Sequence, residues 1–129
     1  MLETLNYTIT EEDDLYRRIP RKPDFLNTET GKPTSANFKP RKTDNNRLSV
    51  NIVALTTAKE SVIDPQKFTV ACFSAKIPLS HDLLCIQEID PNFPDNTSHA
   101  SIVGEKKSFE KFALKVKEAC VILNDSCFK

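Results

Sequence analysis

An α+β domain is what this sequence predicts: a mostly antiparallel sheet of four or five strands, a C-terminal helix packed on one face, and an irregular, Pro-rich N-terminal third. Three observations predict it. Leu48, Val50, Ile52 and Ala54 alternate with Ser49, Asn51 and Val53, the two-residue period of a strand with one buried face. Phe68 to Ala75 is a run rich in Val, Phe and Thr, residue types that suit a pleated surface. Phe109, Phe112, Ala113, Val116, Cys120 and Leu123 recur at three- and four-residue steps, which lays one apolar stripe along a helix.

The remaining elements follow in chain order. Residues 1–14 end in the acidic run Glu11-Glu12-Asp13-Asp14 and are expected to form a flexible lead. Leu15 to Ile19 is expected to be a short strand. Residues 15–47 hold Pro20, Pro23, Pro33 and Pro40, a spacing that forbids a long helix. Thr30-Gly31-Lys32-Pro33 reads as a turn. Thr57-Ala58-Lys59-Glu60 has the pattern of a capping box, and the helix it starts must stop near Asp64-Pro65. Leu83 to Ile89 is expected to be a strand, joined to the preceding one through Pro78-Leu79-Ser80-His81-Asp82. Asp90 to Ser98, with Pro91 and Pro94, reads as a loop. A short strand from His99 to Val103 ends at Gly104. Ser108 is the expected N-cap of the last helix and Asn124 its stop.

At 129 residues the chain has the size of one domain. Hydrophobic residues make up 39%, and with no Trp and eight Phe the core must be aliphatic with phenylalanine as its large pieces. Eighteen basic residues cancel eighteen acidic ones, so the net charge does not argue for nucleic acid or an anionic membrane. Uninterrupted apolar runs reach four or five residues, where a membrane-spanning helix needs about 20. Met1-Leu2-Glu3-Thr4 lacks the charged and apolar regions of a secretory signal, so a cytoplasmic protein with free thiols at Cys72, Cys85, Cys120 and Cys127 is expected. The cysteine spacings and the two separated histidines match no zinc pattern, and no metal or other cofactor is expected.

With only Gly31 and Gly104, the chain has no glycine-rich loop in which a phosphate could be cradled. Ser80-His81-Asp82 has the residue types of a triad, but neighbours in a loop point apart, so a polar turn is expected. Glu88 and Asp90 share a strand face without further ligands and read as a solvated strand end. Arg17, Ser49 and His99 are polar residues embedded in strand-like sequence, and they are the candidate catalytic residues if the protein is an enzyme. Their alternative role is to satisfy buried backbone or one another. Between Tyr16 and Arg47, nine basic residues face three acidic ones, with Tyr16, Phe25 and Phe38 among them. That pattern suits an acidic partner protein, a single-stranded nucleic acid, or the acidic run of the same chain. The acidic partner is favoured, with Arg17, Arg18, Arg21, Lys39, Arg41 and Lys42 as its contacts.

Four segments carry a resemblance: Leu15-Tyr16-Arg17-Arg18-Ile19, Pro33 to Pro40, Arg47-Leu48-Ser49-Val50, and His99 to Gly104. Their order resembles that of a group of small, uncharacterised bacterial proteins, with the plan R-x-I, S-x-x-F-K, L-S-V and H-A-x-I-x-G. The resemblance implies a bacterial-type origin and no particular activity. The chain is also faintly similar to NAD-using toxins of the RES and ADP-ribosyltransferase kind. That likeness implies that Arg17 grips the NAD phosphates and that Ser49 lies beside the nicotinamide. It lacks a convincing catalytic glutamate, since Glu105 is not in the surrounding pattern. The functional expectation is therefore a non-enzymatic interaction module, an accessory or partner subunit of a bacterial multi-protein system. An NAD-using enzyme and nucleic-acid binding through residues 16–47 are its alternatives.

Overall fold

A computed structural model describes residues 6–129. The readings of Met1–Thr4 as free of a leader, and of residues 1–5 as flexible, lie outside the described residues. The chain is α+β, with a single antiparallel sheet of six strands: β1 (Asp14–Pro20), β2 (Arg47–Ile52), β3 (Phe68–Ser74), β4 (Leu84–Gln87), β5 (His99–Val103) and β6 (Val121–Ile122). Their spatial order is β4-β5-β2-β1-β3-β6, and every neighbouring pair is antiparallel. Among the described residues three α-helices accompany it: α1 (Ala58–Val62), α2 (Lys76–Leu79) and α3 (Lys106–Ala119).

Strand alternation divides the sheet into two faces. Leu15 and Ile19, Leu48, Val50 and Ile52, Ala71 and Phe73, and Ala100 and Ile102 point to one side and are buried there. The stripe of α3, Phe109, Phe112, Ala113 and Val116, covers that side. At its centre Phe38, from the 3-10 turn Ser35–Phe38, meets Phe73 edge-on at 5.9 Å between ring centroids and Phe112 at 6.2 Å. Edge-to-face packing of this kind adds about 0.5–1.5 kcal/mol per pair to the burial itself. On the opposite face, a smaller cluster of Val62, Val70 and Phe128 is backed by Tyr16, Phe68 and Leu123. It is covered by α1 and by the C-terminal 3-10 turn Asp125–Phe128.

Two boundaries of the last helix differ from expectation. The helix begins at Lys106 with Glu105 in the N-cap position, so Ser108 lies inside it. β5 ends one residue before Gly104, where a Cβ would run into Leu83, and the chain must turn at once. The helix also stops at Ala119. Cys120 is extended, Val121 and Ile122 pair with Cys72 and Ala71, and the Leu123 N–H donates to the Val70 carbonyl at 2.9 Å. Val121 and Ile122 form a sixth strand because the β3 edge has backbone groups to satisfy there. The apolar period continues across the break because Cys120 packs on the main core and Leu123 on the second cluster.

Smaller departures have local causes. The strand expected to run to Ile89 ends at Gln87, and that expected to run to Ala54 turns into 3-10 geometry after Ile52. Half of the capping box forms: the Thr57 hydroxyl accepts from the Glu60 N–H at 3.2 Å and donates to the Glu60 carboxylate. Ile63 then leaves the helix with φ of 63°, a costly conformation for a β-branched residue, before Asp64-Pro65. Residues 6–14 are docked: Ile9 is buried in the main core and the Tyr7 N–H donates to the Gln87 side chain at 2.9 Å. No described helix is long and apolar enough to cross a membrane.

The aromatic centre generates a prediction. Phe112 is fully buried among Phe38, Phe73 and Phe109. Phe112→Ala is expected to lower unfolding free energy by about 3–5 kcal/mol in urea titrations. An unchanged midpoint would show that the stripe does not face the core.

Candidate functional site

The second face of the sheet is covered only in part, and the uncovered portion is a cavity of about 340 Å³. Tyr16 and Arg18 from β1, Ser49 and Asn51 from β2 and His99 from β5 line it. Its rim is the loop after β4, with Asp90, Phe93 and Asp95, and the α1 region, with Leu55, Glu60 and Ile63. A chain of side-chain bonds fixes this arrangement. Asn51 donates to the Ser61 hydroxyl at 3.0 Å and accepts from Asn96 at 3.0 Å, while Asn96 accepts from the Ser98 N–H at 3.1 Å. The Ser98 hydroxyl also bonds to Asn96. The loop and α1 are thus tied to the same strand.

Arg17, Ser49 and His99 all line this cavity, but they are used differently. β1 pairs with β2 only through Leu15–Ile52 and Tyr16–Asn51. Just beyond that point Arg17 takes over: Nη1 donates to the Ser49 carbonyl at 2.8 Å and Nε to the Asn37 carbonyl at 2.9 Å. Burial, with a contribution from neighbouring Arg18, pushes the Arg17 pKa down to about 10, so the side chain remains cationic at neutral pH. The Ser49 side chain is exposed and has no hydrogen bond to His99 among the described residues. Registration explains why: Ser49 faces Ser101 across the ladder, and His99 faces Asn51. His99 is 7% exposed, and its Nδ1 lies 3.0 Å from the Glu88 carbonyl. A carbonyl only accepts, so Nδ1 carries the proton and a neutral ring has its lone pair on Nε2. Nε2 is buried without a hydrogen-bond partner among the described residues.

The six basic residues favoured as partner contacts do not form one surface. Arg18 lies in the sheet-face cavity, with its guanidinium 5.1 Å from the centre of the Phe68 ring and no hydrogen bond or ion pair among the described residues. Arg21 clamps the sheet to the C-terminus, donating to the Pro65 and Phe68 carbonyls and pairing with Asp125 at 2.9 Å. Lys39, Arg41 and Lys42 line a second cavity of about 390 Å³ beside the start of α3. Lys106, Phe109 and Glu110 complete its wall, together with Pro40, Asn45 and Asn46. Arg41 is held by Asp44, which accepts from the Arg41 backbone N–H at 2.8 Å. The described ion pairs are Arg21–Asp125, Arg41–Asp44 and Arg47–Glu88, so the basic segment does not grip the acidic run Glu11–Asp14 of its own chain.

Ser80 and His81 form a polar turn: the Ser80 hydroxyl and His81 Nδ1 both reach the Ile77 carbonyl, at 2.9 and 2.8 Å. Glu88 is paired with Arg47 at 2.7 Å, away from any cation-binding arrangement. Among the described residues no three His, Cys, Asp or Glu side chains are grouped as a metal site. Burial pushes the thiol of Cys85 up to about 12 and that of Cys120 up to about 11, so neither is a thiolate at neutral pH. Sequence reasoning missed Asn37, Asn51 and Asn96, whose most distant partners lie 20 residues away for Asn37 and 45 for the Asn51–Asn96 pair. It also missed Lys106, which stood outside the basic segment. No family model matches the chain, and no curated protein or solved structure matches it.

Two outcomes are expected. Arg17→Met leaves the buried Asn37 carbonyl unpaired, which costs about 1–3 kcal/mol; equal midpoints for variant and wild type in urea would remove Arg17 from the framework. In alkylation at neutral pH followed by mass spectrometry, exposed Cys127 is expected to react first and Cys85 and Cys120 much later. Early labelling of Cys85 would contradict its burial.

Proposed function

We propose that the chain is a non-enzymatic interaction module that docks an acidic surface of another protein, as an accessory or partner subunit of a bacterial multi-protein system. The observation that carries this reading is the convergence of Lys39, Arg41, Lys42 and Lys106 on one cavity, with Glu110 as the carboxylate in its wall. Two stretches about 65 residues apart in sequence supply these cations, so the groove is a product of folding. Such a groove speeds encounter with a complementary acidic surface and sets its orientation.

Nucleic acid is a weaker match to the same basic segment. Stacking on bases needs exposed aromatic rings. Phe38 is fully buried, Phe25 packs on the main core, and Tyr16 packs on the second cluster. The NAD-using alternative draws support from the shared cavity of Arg17, Ser49 and His99. Against it, the Arg17 guanidinium already binds two carbonyls, and no nucleophile is hydrogen-bonded to His99 among the described residues.

Association with a poly-glutamate peptide, followed by fluorescence anisotropy over a salt series, tests the reading. Wild-type association is expected to slow as salt rises, and Arg41→Glu with Lys42→Glu to slow it about tenfold or more at low salt. Circular dichroism should be unchanged by those exposed substitutions. Salt-sensitive binding of single-stranded RNA that the same double reversal abolishes, without binding of the acidic peptide, would contradict it.

A further inference from the structure

The sheet-face cavity is separate in its lining from the basic groove, and its chemistry is of another kind. Three features define it. Arg18 is a cation held at one side by the Phe68 ring, without an ion pair or hydrogen bond among the described residues. Burial lowers the Arg18 pKa, and Asp90, which offsets part of that effect, does not come within the 4.0 Å of an ion pair. His99 is more than nine-tenths buried at the cavity wall; its Nδ1 is taken by the Glu88 carbonyl, which leaves Nε2 as a buried acceptor with no protein donor. A buried acceptor of this kind costs free energy unless something donates to it.

The rim adds a selective element. Leu55, Ile63 and Phe93 line the cavity and are 40%, 53% and 45% exposed. They set apolar surface beside the polar floor, the mixture found in small-molecule sites. The volume, about 340 Å³, is at the small end of the roughly 300–1,000 Å³ range of such sites.

Charge decides the ligand class. Arg17 and Arg18 face Glu60, Asp90 and Asp95 in the lining, and Arg17 is already committed to backbone carbonyls. A doubly charged phosphate would bring further negative charge beside three carboxylates. A zwitterion brings its anion to Arg18 and its cation to Asp90 without adding net charge.

We infer that the cavity binds a free α-amino acid with an apolar side chain: its carboxylate on Arg18, its ammonium toward Asp90, and its side chain against Phe93, Ile63 and Leu55.

The experiment is a thermal-shift screen and isothermal titration of the purified chain with leucine, phenylalanine, leucinamide, N-acetyl-leucine and adenosine monophosphate at millimolar concentration. Leucine or phenylalanine should bind saturably, and the two blocked forms, each missing one charge, should bind at least tenfold more weakly. Arg18→Gln and Asp90→Asn should each weaken binding at least tenfold while the far-ultraviolet spectrum stays native; if one variant fails to fold, the other carries the test. Absence of amino-acid binding, equal binding of the blocked forms, wild-type affinity in both variants, or binding of the nucleotide alone would overturn the inference. None of these results bears on the acidic peptide, whose groove shares no lining residue with this cavity.

Discussion

A six-stranded sheet has two faces to cover, and this chain supplies one described helix longer than five residues. That constraint organises the molecule. The 14-residue α3 covers the face built by Leu15, Leu48, Ile52, Phe73 and Ile102. The other face receives a five-residue helix, a C-terminal 3-10 turn and a loop. Burial of apolar area at about 25 cal/mol per Å² favours full cover on the first face, whereas the second is closed only over Val62, Val70 and Phe128. What remains open there has a largely polar floor, because polar groups can stay near water without the desolvation cost of the core.

The opening brings its own backbone problem, and Arg17 solves it. Where β1 and β2 stop pairing after two residues, carbonyls that a ladder would have satisfied need donors. A guanidinium supplies several in a fixed fork, so one side chain reaches the Ser49 carbonyl of β2 and the Asn37 carbonyl of the preceding turn. Asn37 passes the constraint onward: its amide donates to the Phe25 and Thr34 carbonyls, which holds the loop before it, while Phe38 beside it fills the aromatic centre. The cavity, the framework and the core are coupled through two adjacent residues of one short turn.

Much of the fold was legible in the sequence because its signals are local. The alternation around Leu48–Ile52 and the stripe through Phe109–Val116 mark a strand and a helix wherever they occur. β6 was hidden for the same reason, since its two residues sit inside an apolar period that a continuing helix would also produce. The site was legible only in part. Alternation puts Arg17 in step with the core residues Leu15 and Ile19 and Arg18 in step with Tyr16, but it does not show that both arginines line the cavity. Nothing local shows that Asn51 meets Asn96, or that Lys106 joins Lys39 and Lys42, because those meetings depend on strand order.

The sheet face opposite α3 is open and polar, and at its wall the buried His99 ring keeps an uncommitted acceptor. The tautomer of the His99 ring tests this most directly. Long-range proton–nitrogen correlation spectra of the free protein at neutral pH, assigned with a His99→Gln variant, should show Nδ1 protonated and Nε2 bare. A proton on Nε2 with Nδ1 bare would contradict it, since the Glu88 carbonyl would then lack its donor.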